Sequence, residues 1–272
     1  MGALNGDGPP RVSVVIPTLN EARNIGHVLA TLPPDVHEVL LVDGGSTDDT
    51  VEVARQALPD IRVIPQPGTG KGDALAAGLA ECTGDIVVML DADGSANGAE
   101  IPRFVDALIA GADLAKGSRF LNGGGSSDLT RLRRTGNRFL CALVNVVYRT
   151  RYSDLCYGYN AGWVTPLRRL ELDCAGFEIE TVLSIRSAKS RLRITEVPSF
   201  ESERLFGRSN LRTFRDGWRV LCAIVREHRV RTVVVPATAA EPVVAPVVDV
   251  VEVLAEPAPA AAAALSGGTV ET

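Results

Sequence analysis

The chain has 272 residues, of which 46% are hydrophobic and 22% charged, a balance that predicts an ordinary globular core. Its formal net charge of −5 excludes a broadly basic nucleic-acid-binding protein, so no nucleic-acid partner is expected. The 5 cysteines lie far apart without a CxxC pair, and the 3 histidines lack ligand spacing, which excludes a disulfide framework and a zinc site.

Apolar, β-branched runs alternate along the chain with segments whose apolar residues recur at helical spacing. Strands are predicted at 11–17, 38–43, 61–66, 85–90 and 112–120. Helices are predicted between them, at 20–32, 46–58, 70–82 and 99–111, the second with Ser46 or Thr47 as its N-cap. This alternation predicts an α/β fold with a mostly parallel, Rossmann-like sheet and helices on both faces.

The two ends of the chain differ in composition from its middle. Residues 1–10 are predicted to form a flexible N-terminus, and residues 229–272, rich in Val, Ala and Pro, a disordered tail. The N-terminus lacks the basic start and apolar core of a signal peptide, and no window is apolar enough for a transmembrane helix. A cytoplasmic location is therefore expected, and the sequence leaves open whether the protein sits at the inner face of the membrane.

Polar side chains follow every predicted strand, at the edge where ligands bind to parallel sheets. Each group alone could be a turn or a helix cap, but five groups at one edge favour a binding site. They are Thr18, Asn20 and Glu21 after the first strand, Asp43 and Ser46 after the second, Lys71 after the third, Asp91 and Asp93 after the fourth, and Ser118 and Arg119 after the fifth.

This pattern predicts a site for a nucleotide-sugar. Asp91 and Asp93 offer the hard oxygen ligands with which a divalent cation neutralises a diphosphate leaving group. Asp43 can accept a hydrogen bond from a base or ribose, while Lys71 and Arg119 add positive charge near phosphates. The segment GTGKG around Lys71 is not a P-loop, because it lacks the four-residue spacer and the following Ser or Thr.

Five segments in order, VSVVIPTLNEARNI, VLLVDGGSTDDT, GKGDALAAG, DIVVMLDADGS and KGSRF, resemble the family 2 glycosyltransferases of the GT-A fold. YSDLCYGYNA, FEIETVLSIRSA and ITEVPSFESERLFGRSNL make the polyprenyl-phosphate (dolichol-phosphate) hexosyltransferases the most similar group. The resemblance implies a GT-A domain at 11–228, with a nucleotide-sugar-binding half at 11–120 and a smaller acceptor half at 121–228. It also implies inverting transfer of a hexose from a UDP- or GDP-linked donor, with Mg²⁺ or Mn²⁺.

The family pattern also assigns roles to particular residues. Asp91 and Asp93 should bind the metal and the donor diphosphate and take part in catalysis. The pattern implies that Pro17, Asn20, Glu21 and Asp43 bind the donor together with Asp91 and Asp93. Thr18, Ser46 and Lys71 are expected to bind it because they follow the strands at the same edge. The pattern implies that Arg119, Arg204 and Ser209 bind the phosphates of donor or acceptor, and the arginine-rich segment after the fifth strand adds Arg131 and Arg134 to them. Arg119 is also expected to be catalytic.

Three positions depart from the family pattern. Gly44 replaces a second aspartate after the second strand, which removes a contact to ribose or base. Gly94 and Ser95 stand where Gln commonly follows the DxD motif, which leaves a third metal ligand unassigned. Asn210 stands where relatives often carry Lys.

The acceptor decides whether a catalytic base is needed. A hydroxyl acceptor needs a carboxylate to take its proton, for which Asp154, Glu178 and Glu180 are the candidates. Since the two glutamates are two residues apart, they would point to different sides of a helix, and the family pattern favours Glu180. A phosphate acceptor is already anionic and needs arginines instead, and the arginines at 119–138 and 204–208 favour this reading.

Two questions stay open at the level of sequence. The segments at 133–150 and 216–229 are amphipathic, so each could rest on a membrane surface or pack internally. The acceptor could be a polyprenyl phosphate, which is favoured, or a soluble small molecule, glycan or protein. A sugar nucleotidyltransferase is disfavoured, because PTLNEARN is not a Gly-rich, arginine-bearing loop. A non-catalytic binding module is disfavoured by the intact Asp91 and Asp93.

Overall fold

A computed structural model describes residues 8–207 and 212–230. Its main sheet has seven strands, and a second sheet has two short ones. In chain order the strands are β1 (Val12–Thr18), β2 (Glu38–Asp43), β3 (Arg62–Pro65), β4 (Ile86–Met89), β5 (Leu114–Ser118), β6 (Gly125–Ser126), β7 (Asn160–Trp163), β8 (Ile194–Pro198) and β9 (Phe200–Glu201).

The strand order in the main sheet is β3-β2-β1-β4-β7-β5-β8. All neighbours are parallel except β7, which runs antiparallel to both β4 and β5. The two strands beside β7 therefore point the same way, so β1 to β5 all end at one edge. The predicted α/β fold with a mostly parallel sheet is confirmed, and β7 is the exception within it.

Helices cover both faces of this sheet. They are α1 (Ile25–Ala30), α2 (Thr50–Ala57), α3 (Lys71–Glu81), α4 (Ile101–Ile109), α5 (Arg131–Tyr148), α6 (Val164–Arg168), α7 (Ile179–Lys189) and α8 (Thr213–Arg229). Alternate residues of the buried strands enter different apolar layers, as the period of two requires: Val14 and Ile16 pack with α1 and α4, while Val15 packs with α3 and α7.

Two helix starts differ from the sequence prediction. Helix α1 begins at Ile25 instead of residue 20, because Asn20 has a φ of 56° and residues 22–24 form a turn. The N-cap of α2 is Asp49, not Ser46 or Thr47. Those two residues instead form hydrogen bonds with Asn20 in the neighbouring loop. The backbone N–H of Asn20 donates to Oγ of Ser46, and the backbone N–H of Thr47 donates to Oδ1 of Asn20.

The second half of the chain contributes an apolar cluster of its own. Leu140 and Val144 of α5 meet Val220 and Ile224 of α8 in it, with Ile185 of α7. Among residues 8–207 and 212–230, no helix has both the length and the apolar character needed to cross a bilayer. The predicted tail lies outside the described residues, apart from its first two positions, and so do residues 1–7 of the predicted flexible N-terminus.

Candidate active site

The loops after β1 and β2 are joined side by side at the sheet edge. Asn20 has a left-handed backbone conformation and forms hydrogen bonds with Ser46 and Thr47 of the second loop. Asp43 is half-buried at the end of β2, and its carboxylate accepts the backbone N–H groups of Gly45 and Ser46. Thr18 is buried beside it and donates its hydroxyl proton to the carbonyl of Ile16. Pro17 precedes it in β1, in register with Val42.

Lys71 bridges two carboxylates that are far apart in the sequence. Its ammonium Nζ lies 2.6 Å from Oδ1 of Asp91 and 2.7 Å from Oε1 of Glu180. Glu180 is buried, whereas the Asp91 side chain retains 33% of its exposure. One carboxylate of this bridge is therefore fixed in the interior while the other reaches the surface of the site.

Burial and the neighbouring charges shift the pKa of both Lys71 and Glu180. Burial opposes the charge of Lys71, but Asp91 and Glu180 outweigh it and raise the pKa of the ammonium above its ordinary value of 10.5. Burial raises the pKa of Glu180, while Lys71 opposes that shift. Lys71 is consequently a fixed cation at the strand edge.

The Gly-rich loop before α3 holds Lys71 in this position. Gly70 has a φ of 88°, and a Cβ there would lie 2.4 Å from the carbonyl oxygen of Ala175. The backbone N–H of Gly72 donates to that same carbonyl at 2.9 Å. Only glycine fits both the conformation and the close approach, and the contact brings the start of α7, with Glu180, to Lys71.

Asp93 faces a second cation, supplied by the segment 202–207. Arg204 binds Glu21 through two nitrogens at 2.5 and 3.0 Å, and its Nε lies 3.6 Å from Oδ2 of Asp93. Burial raises the pKa of Glu21 and the charge of Asp93 adds to the shift, although Asn24 and Arg204 oppose it. The two aspartates of the DxD motif thus each face one cation from a different part of the chain.

The segment 202–207 is also tied to the DxD loop by its backbone. The N–H of Ser202 donates to the carbonyl of Ser95, and the N–H of Leu205 donates to the carbonyl of Asp93. Gly94 has a φ of 77°, and a Cβ there would lie 2.7 Å from the Leu205 side chain. A side chain at position 94 would therefore disturb the segment that delivers Arg204.

An open cleft of about 210 Å³ lies between the β1–α1 loop and this segment. The residues that line it include Asn20, Glu21, Asn24, Asp48, Arg204 and Phe206. Its walls are mainly polar, as a site for a polar ligand requires.

The donor set suits a divalent metal that shares its coordination with a ligand. Asp91 and Asp93 present oxygen atoms with 33% and 25% of their side chains exposed. In the directly paired network, the carboxylates of Glu21, Asp91, Asp93 and Glu180 outnumber the cations Lys71 and Arg204 by four to two. No group of three or more His, Cys, Asp or Glu side chains suited to a metal occurs within the described ranges. Two carboxylates completed by phosphate and water are a set that Mg²⁺ accepts.

Arg119 and Asp154 form a separate, buried ion pair. Arg119 binds Asp154 through two nitrogens at 2.7 and 3.0 Å and Glu201 at 3.0 Å, and its guanidinium stacks on Tyr157. Asp154 has no exposed surface. Burial opposes the charge of Arg119, but the hydrogen bonds and charges of the two carboxylates raise its pKa. Arg119 and Asp154, two of the residues predicted to be catalytic, are therefore already paired inside the protein.

The remaining predicted residues are scattered. Arg131 is exposed at the start of α5, and Arg134 is exposed with its guanidinium 5.7 Å from the ring centre of Phe120. Glu178 lies just before α7 and accepts the N–H of Gly176, so it does not join the Lys71 bridge. Ser209 and Asn210 lie outside the described residues.

Two residues that help to build the site, Gly158 and Asn24, carry no prediction of their own. A Cβ at Gly158 would lie 2.5 Å from Nζ of Lys71 and 2.6 Å from Oδ2 of Asp91. The side-chain amide of Asn24 donates both to Glu21 and to the carbonyl of Phe206. Their only sequence signal was their place within segments of the family pattern, which does not reveal these contacts.

Comparison with known proteins shows the family to which the chain belongs. The model of the family described as Glycosyl transferase family 2 matches residues 13–170. The glycosyltransferase AglJ of Haloferax volcanii is 32% identical over 224 residues, which cover 81% of this chain and 73% of that protein. The polyprenol monophosphomannose synthase of Mycolicibacterium smegmatis is 33% identical over 223 residues, which cover 74% of this chain and 81% of that protein.

The fold has a close counterpart among solved structures. Glucosyl-3-phosphoglycerate synthase from Mycobacterium tuberculosis, crystallised with Mn²⁺, UDP and glucosyl-3-phosphoglycerate, superposes with a TM-score of 0.65. The alignment covers 82% of both chains at 23% sequence identity, so the likeness is one of fold.

Proposed function

Because the chain belongs to glycosyl transferase family 2, we propose that it moves a hexose from a nucleotide-sugar to a polyprenyl phosphate, with inversion at the anomeric carbon. The observation that carries this proposal is the edge at which Asp91 and Asp93 each face a cation, with carboxylate in excess. A cluster of this charge can take up a divalent metal together with a diphosphate.

The donor side of the reaction follows from the same residues. Asp91 and Asp93 would hold the metal, which supplies Lewis-acid stabilisation of the departing nucleotide diphosphate. Lys71 and Arg204 already lie at those carboxylates, so each can donate to phosphate oxygens that arrive there. The nucleoside would bind at the loops after β1 and β2, near Asp43 and Asn20.

The acceptor side is argued from the state of the candidate bases. Asp154 is saturated by Arg119, and Glu180 is buried against Lys71. Neither carboxylate is free to take a proton from a hydroxyl, whereas a phosphate acceptor attacks without a base because it is already anionic. The printed name of the similar polyprenol monophosphomannose synthase supports a polyprenyl phosphate as that acceptor.

The test is nucleotide release and product formation with UDP-glucose, UDP-N-acetylglucosamine, UDP-galactose and GDP-mannose, each with Mn²⁺, Mg²⁺ or EDTA. The acceptors are a short polyprenyl phosphate, the matching polyprenol without phosphate, and 3-phosphoglycerate. We expect metal-dependent transfer to the polyprenyl phosphate alone. Transfer to 3-phosphoglycerate instead would replace the lipid by a soluble acceptor, and transfer to the free polyprenol would require a base.

A pair of variants separates the metal site from general effects. Asp93→Asn should lower turnover by about 10²- to 10³-fold, as loss of a preorganised charge does at other sites. The matched control Asp60→Asn changes an exposed aspartate in the turn before β3 and should leave turnover unchanged. Equal turnover in both variants would contradict the role of Asp93.

A further inference from the structure

Helix α5 presents a row of large apolar side chains to solvent. Leu132, Phe139 and Val146 recur every seventh residue, so they lie on one side of the helix, with exposures of 55%, 63% and 79%. The opposite side is buried through Leu140 and Val144. Helix α5 therefore has two apolar sides, one that packs into the core and one that faces solvent.

Helix α8 has the same two-sided character. Phe214, Trp218 and Val225 share one side and are exposed by 82%, 66% and 45%. Val220 and Ile224 point the other way and are buried. A helix that needed only to pack internally would not carry an aromatic row on its solvent side.

The two helices are direct neighbours. Their buried residues share one apolar cluster, and the hydroxyl of Tyr148 donates to the carbonyl of Ile224 at 2.8 Å. Helix α5 is further anchored to the interior by Asn137, whose Oδ1 accepts the backbone N–H groups of Leu155 and Cys156. The outward rows of α5 and α8 are here called the docking face.

The charge on these helices is opposite to that of the whole chain. The chain carries a net −5, yet α5 contains no Asp or Glu. The two carboxylates of α8, Asp216 and Glu227, are buried. The exposed charged residues of the two helices are arginines: Arg131, Arg134, Arg138, Arg215, Arg219, Arg226 and Arg229. A partner of this face must offer negative charge as well as apolar surface.

We propose that the docking face binds the surface of an anionic lipid bilayer. Phe139, Phe214 and Trp218 would enter the boundary between headgroups and acyl chains, while the arginines contact lipid phosphates. This inference deepens the proposed function, since a polyprenyl phosphate is itself held in a bilayer. It is tested without donor or acceptor, so that its failure and that of the proposed function can be told apart.

The experiment follows the tryptophan fluorescence of the full-length chain with two kinds of vesicle. One is pure phosphatidylcholine, and the other contains one part phosphatidylglycerol to two parts phosphatidylcholine. Trp218 is one of only 2 tryptophans, and the other, Trp163, donates to the carbonyl of Ala112 within the fold. We expect a blue shift of emission and quenching by brominated lipid, only with phosphatidylglycerol and weakened by salt. The quenching should disappear in Trp218→Phe.

Affinity measurements sharpen the test. The double variant Phe139→Ser with Phe214→Ser should bind anionic vesicles at least about tenfold more weakly than the wild type, because it loses the transfer free energy of two aromatic rings. The matched control is Ile109→Ser, because Ile109 is 60% exposed on α4, outside the docking face, and its loss should change nothing.

Several outcomes would overturn the proposal. They are absence of vesicle binding, equal weakening by Ile109→Ser, and a wild-type dimer that the double variant converts to monomer, which would make the face a contact between copies. Trp218 emission already shielded from acrylamide without vesicles would assign the face to another segment of this chain, such as residues 231–272. Donor hydrolysis in solution reports on the proposed function separately.

Discussion

Arg119 and Arg204 carry the same sequence prediction, that they bind phosphates, yet their surroundings in the structure differ. Arg119 retains 6% of its side-chain exposure and is saturated by Asp154, which is fully buried, and by Glu201. Arg204 retains 17%, and its partners Glu21 and Asp93 belong to a cluster with carboxylate in excess. An arginine whose donors are all used inside the protein holds the fold together, whereas one at an open cluster can change partners when a ligand arrives.

The largest expected effect tests the buried member of this pair. Arg119→Met leaves Asp154 as an uncompensated buried charge, and breaking such a pair costs about 3–5 kcal/mol of unfolding free energy. Arg204→Met should cost less, about 1–3 kcal/mol, because the buried Glu21 keeps its hydrogen bond from Asn24 and Asp93 is a quarter exposed. Urea unfolding followed by circular dichroism measures both. Equal losses would mean that both arginines are structural.

Substitutions of two glycines, one near Arg119 and one at the DxD motif, should have stability effects of intermediate size. A Cβ at Gly117, near Arg119, would lie 2.6 Å from the backbone oxygen of Tyr159, so Gly117→Ala should destabilise by about 1–3 kcal/mol. At Gly158 the atoms nearest to the Cβ would be the charged ends of the Lys71 and Asp91 side chains, which can shift more easily than backbone, so Gly158→Ala should cost less than Gly117→Ala, about 1 kcal/mol.

For Gly158→Ala the cost should appear instead in the KM for the nucleotide-sugar, since the cation at the DxD motif is displaced. Gly136→Ala is the control, because nothing lies within 4 Å of that position in α5 and the substitution should stabilise by about 0.5–1 kcal/mol. Thermal unfolding together with donor kinetics separates the two glycines. A Gly158→Ala variant that unfolds as easily as Gly117→Ala would show the DxD cluster to be rigid.

The smallest effect concerns Glu21 and depends on pH. Its folded pKa is raised above the ordinary 4.5, so the native state binds more protons than the unfolded state between those two values. This group's contribution to stability therefore falls as the pH rises through that window. Glu21→Gln should be at least as stable as wild type at pH 7, by less than about 1 kcal/mol, and the gap should close as the pH falls towards 4.5.

Thermal unfolding between pH 4 and pH 7 measures this difference, with Asp154→Asn as the contrasting variant in the buried cluster. Asp154→Asn should lose stability at neutral pH, since it removes the charge that compensates Arg119. A loss of similar size in Glu21→Gln would remove the distinction between the two clusters.

Much of the first half of the fold follows from the sequence, because apolar period and strand-end polarity are local signals. The strands β1 to β5 lie within the predicted ranges to within a residue, and α2 to α4 start within about four residues of theirs. Strand β7 carried no such signal, since NAGW is short and its antiparallel place between β4 and β5 depends on pairing with both. The domain boundaries at 11–228 stay a prediction.

The site shows the same division. The residues at the ends of β1 to β4 were predicted together because parallel strands bring them to one edge. The bridge from Lys71 to Glu180 and that from Arg204 to Glu21 could not be predicted, since they join positions more than a hundred residues apart. The arginine pattern also could not separate Arg119 from Arg204, because burial depends on the packing of β6, β9 and the 153–157 loop.

The contact of β8 with β5 has a consequence for how the chain can be divided. The family match ends at residue 170, but β8 begins at Ile194 and pairs with all five residues of β5. A fragment cut at that boundary would leave the backbone of β5 unpaired along one side, and an open strand of this kind is a template for association with other chains. The part of the sequence that identifies the family is therefore expected to be shorter than the smallest part that resists aggregation.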